Sequence, residues 1–525
     1  MGNYKILDCT LRDGGYCNEW NFGKQNTKKI ISGLVDAGID IIECGFITNR
    51  VTYNDDITKY TDFAEVSAML PEKRDGKLFV CMINYGEYDL ADIPEHSETG
   101  LDGLRIAFHK DDMIPALEYC REVQKKGYKV FIQAMVSLNY SDGEFLDLIR
   151  RAGEVQPYAF YIVDSFGVMK QKDLTRLFYV VENNLKKGVA IGFHSHNNMQ
   201  LSFSNAQSLT EIRTARDIII DSSIYGMGRG AGNLNTELFV EHLNDNIGTS
   251  YNLRPLLALI DEILRPFYQQ NYWGYSLPNY LSAKHNSHPN YAGYLDSKKT
   301  LTVENMDEIF SMMDNAKRSN YDKEYIEELY LKYMAAGEEG EQHLSEIKER
   351  ISGKDVLIIA PGSSSNTEKE KIVARAESDN IITISVNFDY GYFDTDFIFV
   401  SNLRRFRELS SDKHEKCIIT SNISSVDVYL QTKYKDLLNG IEAVRDNAAM
   451  MLIKYLISLG ARRIFIAGMD GYSSDPTQNF ADEKMNFFTK KTSFQAMNEG
   501  MSAVLKEYSK QIDIEFVTTP KYVNI

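Results

Sequence analysis

Short apolar segments alternate with amphipathic segments over the first half of the chain. The apolar segments have the length of strands and predict strands at 5–9, 39–46, 77–83, 103–108, 129–136, 159–164, 189–194 and 216–221. Apolar residues at helical spacing predict helices between them, at 24–37, 56–70, 111–127, 143–155, 172–186, 200–212 and 234–245. Eight strands that alternate with helices in this way indicate a parallel (β/α)₈ TIM barrel.

The pattern changes after residue 250. Helical segments replace the strands, and the charged run at 337–341 indicates a linker. Beyond it, strands are predicted at 355–360, 382–387, 396–401, 416–420, 463–468 and 513–517, with a long helix at 441–459. We therefore predict an α/β protein with a barrel at 1–250, a helical extension and linker at 251–350, and a Rossmann-like, doubly wound domain at 351–525.

The composition limits which partners the protein can bind and in which cellular compartment we expect it. The 525 residues carry a net charge of -16, which argues against nucleic acid or an anionic membrane surface as the main partner. No apolar run approaches the roughly 20 residues that span a bilayer, and the N-terminal segment lacks a signal-peptide core. The six cysteines form no C-x-x-C pair. We expect a cytoplasmic protein with reduced thiols that forms a homo-oligomer.

Two histidines near the end of the seventh predicted strand suggest a metal site. His194 and His196 are two residues apart, so both imidazoles lie on the same side of the strand. Asp13 follows the first strand and supplies a carboxylate, which completes a set of ligands that leaves positions open for substrate. The alternative is that this segment is simply a polar strand end.

Two further residues fit such a site. The amide oxygen of Asn233, in the glycine-rich loop 226–234, is a candidate fourth ligand; alternatively the loop is a turn with no contact to the site. Arg12 beside Asp13 is a fixed cation that suits an oxygen on which negative charge develops, as in enolate chemistry. The alternative for Arg12 is a structural ion pair.

These motifs resemble those of a known superfamily. The segments 8–14, 194–196 and 232–237 are similar, in order and position, to the three signatures of the DRE-TIM metallolyases, and the resemblance covers roughly residues 4–245. It implies a divalent metal, Mn²⁺ or Mg²⁺ with Co²⁺ and Zn²⁺ as alternatives. The implied metal ligands are Asp13, His194, His196 and Asn233. Arg12 would stabilise the enolate, and the implied substrate-binding residues are Asp164, Ser165, Arg229 and Tyr291. Glu43 would either face the substrate or support the residues that contact it.

The closest branch is that of the 4-hydroxy-2-oxovalerate aldolases. Condensing members and HMG-CoA lyase usually carry a Gln shortly after the Arg-Asp-Gly, which this chain lacks. The aldolases carry a catalytic His where this chain has Tyr16. The residue that transfers the proton is therefore not determined. It is either Tyr16, acting through a water, or one of His285, His288 and Tyr291 from the helical extension. We take Tyr16 and His288 as the catalytic candidates.

The resemblance implies an aldolase that cleaves or forms a 4-hydroxy-2-oxo acid from pyruvate, or a related 2-oxo acid, and an aldehyde. A base removes the proton of the 4-hydroxyl and the C3–C4 bond breaks. One alternative is a Claisen-type acyltransferase that uses an acyl-CoA. Another, of a different class, is a barrel without catalysis that serves as a docking scaffold.

The last domain carries weaker signals. Gly362, Ser363 and Ser364 lie in a turn before a predicted helix and are candidates for binding the phosphate of a nucleotide. The turn matches neither the G-x-G-x-x-G nor the P-loop pattern. With the segment 468–471 it resembles bacterial sialyltransferase-like domains, which implies a nucleotide or nucleotide-sugar partner and a role in surface-polysaccharide biosynthesis. The alternative is a structural turn in a docking domain.

Overall fold

The computed structural model describes residues 3–298, 301–335, 341–423, 427–485 and 491–525. The chain divides into two compact units, one formed by residues 1–293 and 314–321 and the other by 294–313 and 322–525. The predicted extension at 251–350 is thus shared between the units, and most of the charged run at 337–341 lies outside the described residues. Among the described helices, none has the length and apolar character needed to cross a bilayer.

The first unit is a closed parallel barrel. Eight strands follow one another in the order β1-β9-β8-β7-β6-β5-β4-β2, and β1 also pairs with β2, which closes the ring. A short extra strand, β3, lies beside β2. The predicted barrel is therefore confirmed. Its strands are β1 (Tyr4–Asp8), β2 (Ile41–Ile47), β3 (Lys59–Tyr60), β4 (Leu78–Asn84), β5 (Gly103–Phe108), β6 (Lys129–Ala134), β7 (Ala159–Asp164), β8 (Ala190–Ser195) and β9 (Ile218–Ser222).

Helices surround this barrel and continue beyond it. The helix α4 shows how the local sequence starts such an element, because Ser141 and Glu144 form a reciprocal capping box at its N-terminus. A π-helical turn at Ile260–Leu264 joins α8 to α9. The helices are α1 (Lys24–Ala37), α2 (Phe63–Ser67), α3 (Met113–Lys125), α4 (Asp142–Val155), α5 (Gln171–Asn184), α6 (Ser202–Thr210), α7 (Thr236–Ile247), α8 (Leu253–Leu259), α9 (Arg265–Gln270), α10 (Leu277–Lys284) and α11 (Pro289–Ser297).

Each barrel strand is buried on both faces, with alternate residues facing inward and outward. In β1, Ile6 belongs to the large core between strands and helices, whereas Leu7 belongs to a separate inner cluster with Ile41 and Ile219. Residues two positions further along β2 and β9 lie on the same inner side. The two-residue period therefore places the inward side chains near the carboxyl ends of the strands in one region.

The second unit contains a seven-stranded parallel sheet in the order β14-β13-β12-β11-β10-β15-β16. The chain runs outward from β10 to β14 and then returns to the other side of β10, which is the doubly wound arrangement that we predicted. The strands are β10 (Asp355–Ile359), β11 (Ile381–Val386), β12 (Phe397–Val400), β13 (Cys417–Thr420), β14 (Leu430–Thr432), β15 (Arg463–Ala467) and β16 (Asp513–Phe516).

The sequence pattern missed β14, since three residues are too few for a periodic signal. The long predicted helix begins later, at α19, where the Asn447 side chain accepts hydrogen bonds from the backbone N–H groups of Ala449 and Met450. The helices of this unit are α12 (Val303–Ser311), α13 (Lys323–Met334), α14 (Glu341–Ile351), α15 (Ser364–Thr367), α16 (Lys369–Ala376), α17 (Leu403–Glu408), α18 (Tyr434–Leu437), α19 (Ala448–Ser458) and α20 (Lys491–Tyr508).

Candidate metal centre

Asp13, His194 and His196 meet at the carboxyl end of the barrel. One ligand atom of each lies within 4.8 Å of the others, and all three side chains are buried. The turn after β1 brings Asp13 there: its backbone N–H donates to the Cys9 carbonyl (2.8 Å). Asp8 holds the start of the same turn by accepting from the Thr10 backbone N–H (2.9 Å). A carboxylate and two imidazoles form a set suited to a divalent cation.

Asn233 joins this group. Its Nδ2 donates to Asp13 Oδ2 (2.7 Å), and its backbone forms an isolated β-bridge with His196. Asn233 Oδ1 and His196 Nδ1 are buried and have no hydrogen-bond partner among the described residues. Buried polar atoms are normally paired, so these two are explained by a cation that takes them as ligands. The residues present therefore fit a divalent metal.

Glycines allow the loop after β9 to pass against the ligands. A Cβ at Gly228 would lie 2.8 Å from Asp13 Oδ2 and closer still to Asn233 Nδ2. Gly232 has a φ of +81°, and a Cβ there would collide with the Gly226 carbonyl. The loop is thus in contact with the site, and the alternative of a turn with no contact does not describe it.

Arg12 donates to two carboxylates and keeps a third nitrogen, Nη2, without a partner among the described residues. Its Nη1 donates to Asp13 Oδ1 (2.6 Å) and its Nε to Glu43 Oε2 (2.8 Å). Its Nη2 is buried and has no partner among the described residues. Arg12 is therefore held by two carboxylates while keeping a donor for an oxygen that gains negative charge. Glu43 holds Arg12 through Oε2, and its Oε1 is buried with no hydrogen-bond partner in the described part of the chain.

Two functional residues were missed by the sequence analysis, namely Arg105 in β5 and Asp221 in β9. Arg105 Nη1 donates to Glu43 Oε2 (2.7 Å), and its Nη2 donates to Asp221 Oδ2. Asp221 Oδ2 also lies 3.0 Å from His194 Nδ1. These residues form a continuous buried chain of charges from Arg12 to His194. The available signal was a charged residue inside an otherwise apolar strand, which is seldom buried unless paired.

Burial and the neighbouring charges shift the pKa values of the groups at this site. Burial alone would raise the pKa of Asp221, but Arg105 and His194 outweigh it and lower that pKa. Burial would likewise raise the pKa of Asp13, and His196, Arg12 and His194 lower it instead. Burial lowers the pKa of His196 to about 3. With Asp221 ionised, His194 donates from Nδ1, which leaves its Nε2 lone pair for a metal.

The predicted substrate residues after β7 are largely occupied by the backbone. The Asp164 carboxylate accepts from the N–H groups of Val168 (2.9 Å) and Met169 (3.0 Å), and burial raises its pKa to about 6. Ser165 Oγ accepts from the Val136 N–H (3.0 Å). The Asp164 carboxylate therefore orders the loop that begins with Ser165, and its role in binding substrate stays a prediction.

Arg229 connects three predicted site residues. Its Nη1 lies 3.3 Å from His288 Nε2, and its Nη2 donates to the Ser165 carbonyl (3.4 Å). Its guanidinium also lies over the ring of Tyr16, 5.2 Å from the ring centroid. Tyr16 is 41% exposed. Burial lowers the pKa of His288 to about 2, with Arg229 adding to the effect, so His288 is neutral at physiological pH.

The two other candidates from the extension lie elsewhere. The Tyr291 hydroxyl lies within hydrogen-bond distance of the carbonyls of Lys317 (2.8 Å) and Asn320 (2.7 Å), and its side chain is fully buried. This geometry shows that Tyr291 holds the segment 317–320, and its role with substrate stays a prediction. His285 lines a separate cavity of about 580 Å³.

In the second unit, the side chain of Asp470, which follows β15, reaches the turn after β10. Its Oδ2 accepts from Ser363 Oγ (2.9 Å) and from the Ser364 backbone N–H (2.8 Å). The helix that follows, α15, has only four residues. An internal carboxylate therefore takes the position at Ser363 and Ser364 that the sequence analysis assigned to a phosphate, while Gly362 lines a larger cavity.

Comparison with known proteins places the barrel in a family. The HMGL-like family matches the chain from residue 3 to residue 263, a range that includes every proposed metal ligand. This part of the chain belongs to the HMGL-like family. The resemblance inferred from the motifs is confirmed, and the HMGL-like barrel is that of a metal-dependent carbon–carbon lyase.

Two curated relatives of this HMGL-like barrel carry names of activities. A 4-hydroxy-2-oxovalerate aldolase of Shewanella pealeana is 24% identical over 271 residues, which cover 50% of this chain and 78% of the relative. An oxaloacetate decarboxylase of Mycobacterium tuberculosis is 29% identical over 241 residues, which cover 45% and 69%. A solved hydroxymethylglutaryl-CoA lyase from Pseudomonas aeruginosa is 18% identical, covers 51% of this chain and 94% of its own, and gives a TM-score of 0.43.

Proposed function

We propose that this protein is a divalent-metal-dependent aldolase that cleaves or forms a 4-hydroxy-2-oxo acid from pyruvate, or a related 2-oxo acid, and an aldehyde. The observation that carries the proposal is a set of three buried polar atoms near Asp13 that have no hydrogen-bond partner among the described residues: Arg12 Nη2, His196 Nδ1 and Asn233 Oδ1. A metal site with an adjacent arginine donor suits a reaction that passes through an enolate. Mn²⁺ or Mg²⁺ is the proposed ion.

Asp13, His194, His196 and Asn233 would hold the cation, which when bound supplies charge neutralisation at the oxygens of the 2-oxo acid. Arg12 donates from Nη2 to the keto oxygen as negative charge develops there during cleavage of the C3–C4 bond. Glu43 and Asp13 keep the guanidinium in place for this donation, so it needs little rearrangement during the reaction.

Arg229 is proposed to bind the substrate carboxylate, since its Nε is buried without a partner among the described residues. His288, whose Nε2 lies 3.3 Å from Arg229, is proposed to accept the proton of the 4-hydroxyl. A pKa of about 2 makes free His288 a weak base. A substrate carboxylate that offsets the charge of Arg229 raises this pKa on binding. Tyr16, acting through a water, is the second candidate.

The test is exchange of solvent deuterium into the methyl group of pyruvate with Mn²⁺, followed by condensation with a panel of aldehydes. Exchange without acyl-CoA supports the aldolase. Absence of exchange with any divalent metal refutes it, and release of CoA from acetyl-CoA favours the acyltransferase. Oxaloacetate is included, because its decarboxylation passes through the same pyruvate enolate.

Variants assign the roles. Asp13→Asn and His194→Ala are expected to abolish metal binding and exchange, while His96→Ala, in the loop before β5 at the opposite end of the strands, serves as the matched control. His288→Asn is expected to retain metal binding and lose aldol cleavage. Full cleavage by His288→Asn together with its loss in Tyr16→Phe transfers the proton step to Tyr16.

A role in surface-polysaccharide biosynthesis stays a prediction.

A further inference from the structure

The second unit contains a cavity of about 690 Å³ at the carboxyl ends of its strands. Ala360, Val386, Ser401 and Gly468 line it, and each directly follows or ends one of β10, β11, β12 and β15. β10 and β15 are the neighbours between which the strand order reverses. In doubly wound sheets, the crevice at this reversal is where small ligands bind, and the volume lies within the usual range of roughly 300–1,000 Å³ for such sites.

Close backbone approach keeps this crevice open. The Gly362 N–H donates to the Gly468 carbonyl (2.8 Å), and Gly468 has a φ of +70°. A Cβ on Gly468 would collide with the Ala360 carbonyl. The segments that follow β10 and β15 therefore meet through their backbones where they leave the sheet.

Arg404 lines one wall of the cavity and makes few contacts with the described residues. Arg404 makes a long hydrogen bond from Nη2 to the Leu301 carbonyl (3.3 Å) and, among the described residues, has no carboxylate partner. Its neighbour Arg405 is tied to Glu408 (2.8 Å). Lys298 lines the same cavity. Guanidinium groups recognise phosphate and carboxylate oxygens, so this wall suits an anion.

Asp470, in contrast, requires a hydrogen-bond donor from the ligand. This residue lines the cavity, is only 3% exposed, and has one carboxylate oxygen, Oδ1, without a hydrogen-bond partner among the described residues. Its other oxygen is held by Ser363 and Ser364. A buried carboxylate oxygen needs a donor, and an anion cannot supply one. A ligand hydroxyl group can.

We propose that this cavity binds a phosphorylated sugar, either free or as part of a nucleotide. The phosphate is bound by Arg404, and a sugar hydroxyl donates to Asp470 Oδ1. Tyr294 and Tyr472, which also line the cavity, offer aromatic surface to the ring of the ligand. This site is separate from the metal centre and does not depend on the proposed aldolase function.

The experiment is calorimetric titration of the full-length protein with ribose 5-phosphate, with the four nucleoside monophosphates, and with inorganic phosphate. Saturable binding of ribose 5-phosphate or of a nucleotide, with inorganic phosphate at least about tenfold weaker, is expected. Binding of ribose 5-phosphate identifies a free sugar phosphate as the ligand, and selective binding of one nucleotide identifies the other source. No binding, or equal binding of inorganic phosphate, overturns the proposal.

Variants locate the site. Asp470→Asn keeps the size of the side chain, and Arg404→Gln removes the guanidinium; each is expected to weaken binding about tenfold or more. Arg407→Gln on the same helix is the matched control, because Arg407 pairs with Glu304 (2.8 Å) and does not line the cavity. Thermal unfolding checks that each variant folds. Unchanged affinity in a folded Arg404→Gln protein overturns the assignment.

Discussion

Asp221→Asn changes one buried oxygen to an amide nitrogen without altering the size of the side chain. Asp221 Oδ2 lies 3.0 Å from His194 Nδ1, and both side chains are buried. In the wild type, the carboxylate can only accept, so His194 keeps its proton on Nδ1 and offers Nε2 to a metal. An asparagine in the same place can donate, which allows the other tautomer and blocks Nε2.

The expected loss follows from this tautomer change. Loss of a partner that orients a metal-binding histidine typically weakens metal affinity about 10- to 100-fold, or about 1.4–2.7 kcal/mol. Arg105 keeps Glu43 as a partner (2.7 Å), so the variant is expected to fold, with a further cost of about 1–3 kcal/mol for the weakened buried pair.

Calorimetric titration with Mn²⁺ measures the affinity, and urea unfolding in the absence of metal measures stability separately. Asp217→Asn is the matched control. Asp217 lies in the loop before β9, at the other end of that strand from Asp221, and forms an ion pair with Lys5 of β1 (2.9 Å). A fully folded Asp221→Asn protein that binds Mn²⁺ within twofold of the wild type would refute the reasoning.

Three further outcomes are expected. Burial raises the pKa of Asp164 from 3.8 to about 6, so the folded state holds this proton more tightly; the resulting stability is present below pH 4 and is lost as pH rises through 6. The difference in unfolding free energy between wild type and Asp164→Asn should therefore change by up to about 3 kcal/mol over that interval, and a constant difference contradicts the prediction. Gly228→Ala is expected to displace Asn233 and weaken Mn²⁺ binding, whereas Gly143→Ala in α4, where a Cβ meets nothing within 4 Å, should not; equal affinities would count against the close approach. Tyr291→Phe should lower the unfolding free energy by about 1 kcal/mol and leave turnover unchanged, and a loss of turnover at unchanged stability would support a role with substrate.

Much of the fold could be predicted because its signals are local. Each barrel strand is a short apolar run, and the same two-residue period that identifies the run also places His194 and His196 on one side of β8. Asp13 was predicted on a different ground, because it follows the first strand, which in a closed barrel lies near the strand that carries the two histidines. The short strands β3 and β14, of two and three residues, were missed because they contain no period.

The linking charges were not predictable in this way. Arg105 and Asp221 are 116 positions apart, and each looks like an isolated polar residue within its own strand. Their pairing depends on how far neighbouring strands are offset around the closed barrel, which is a property of the whole sheet. The same holds for Asp470, which reaches the turn at Ser363 only because β15 returns to pair with β10.

The order of strands and helices, the ends of the strands and the types of ligand are therefore encoded by neighbouring residues, since period and polarity act over a few positions. The tertiary structure decides which hydrogen-bond donors of the site find a partner, because their acceptors lie on strands that are distant in the sequence. Arg12 begins as a cation beside an acid in the sequence. Asp13, its neighbour in the sequence, accepts from Nη1, and barrel closure brings Glu43 to Nε. Nη2 is left buried without a hydrogen-bond partner among the described residues, which no local pattern could have predicted.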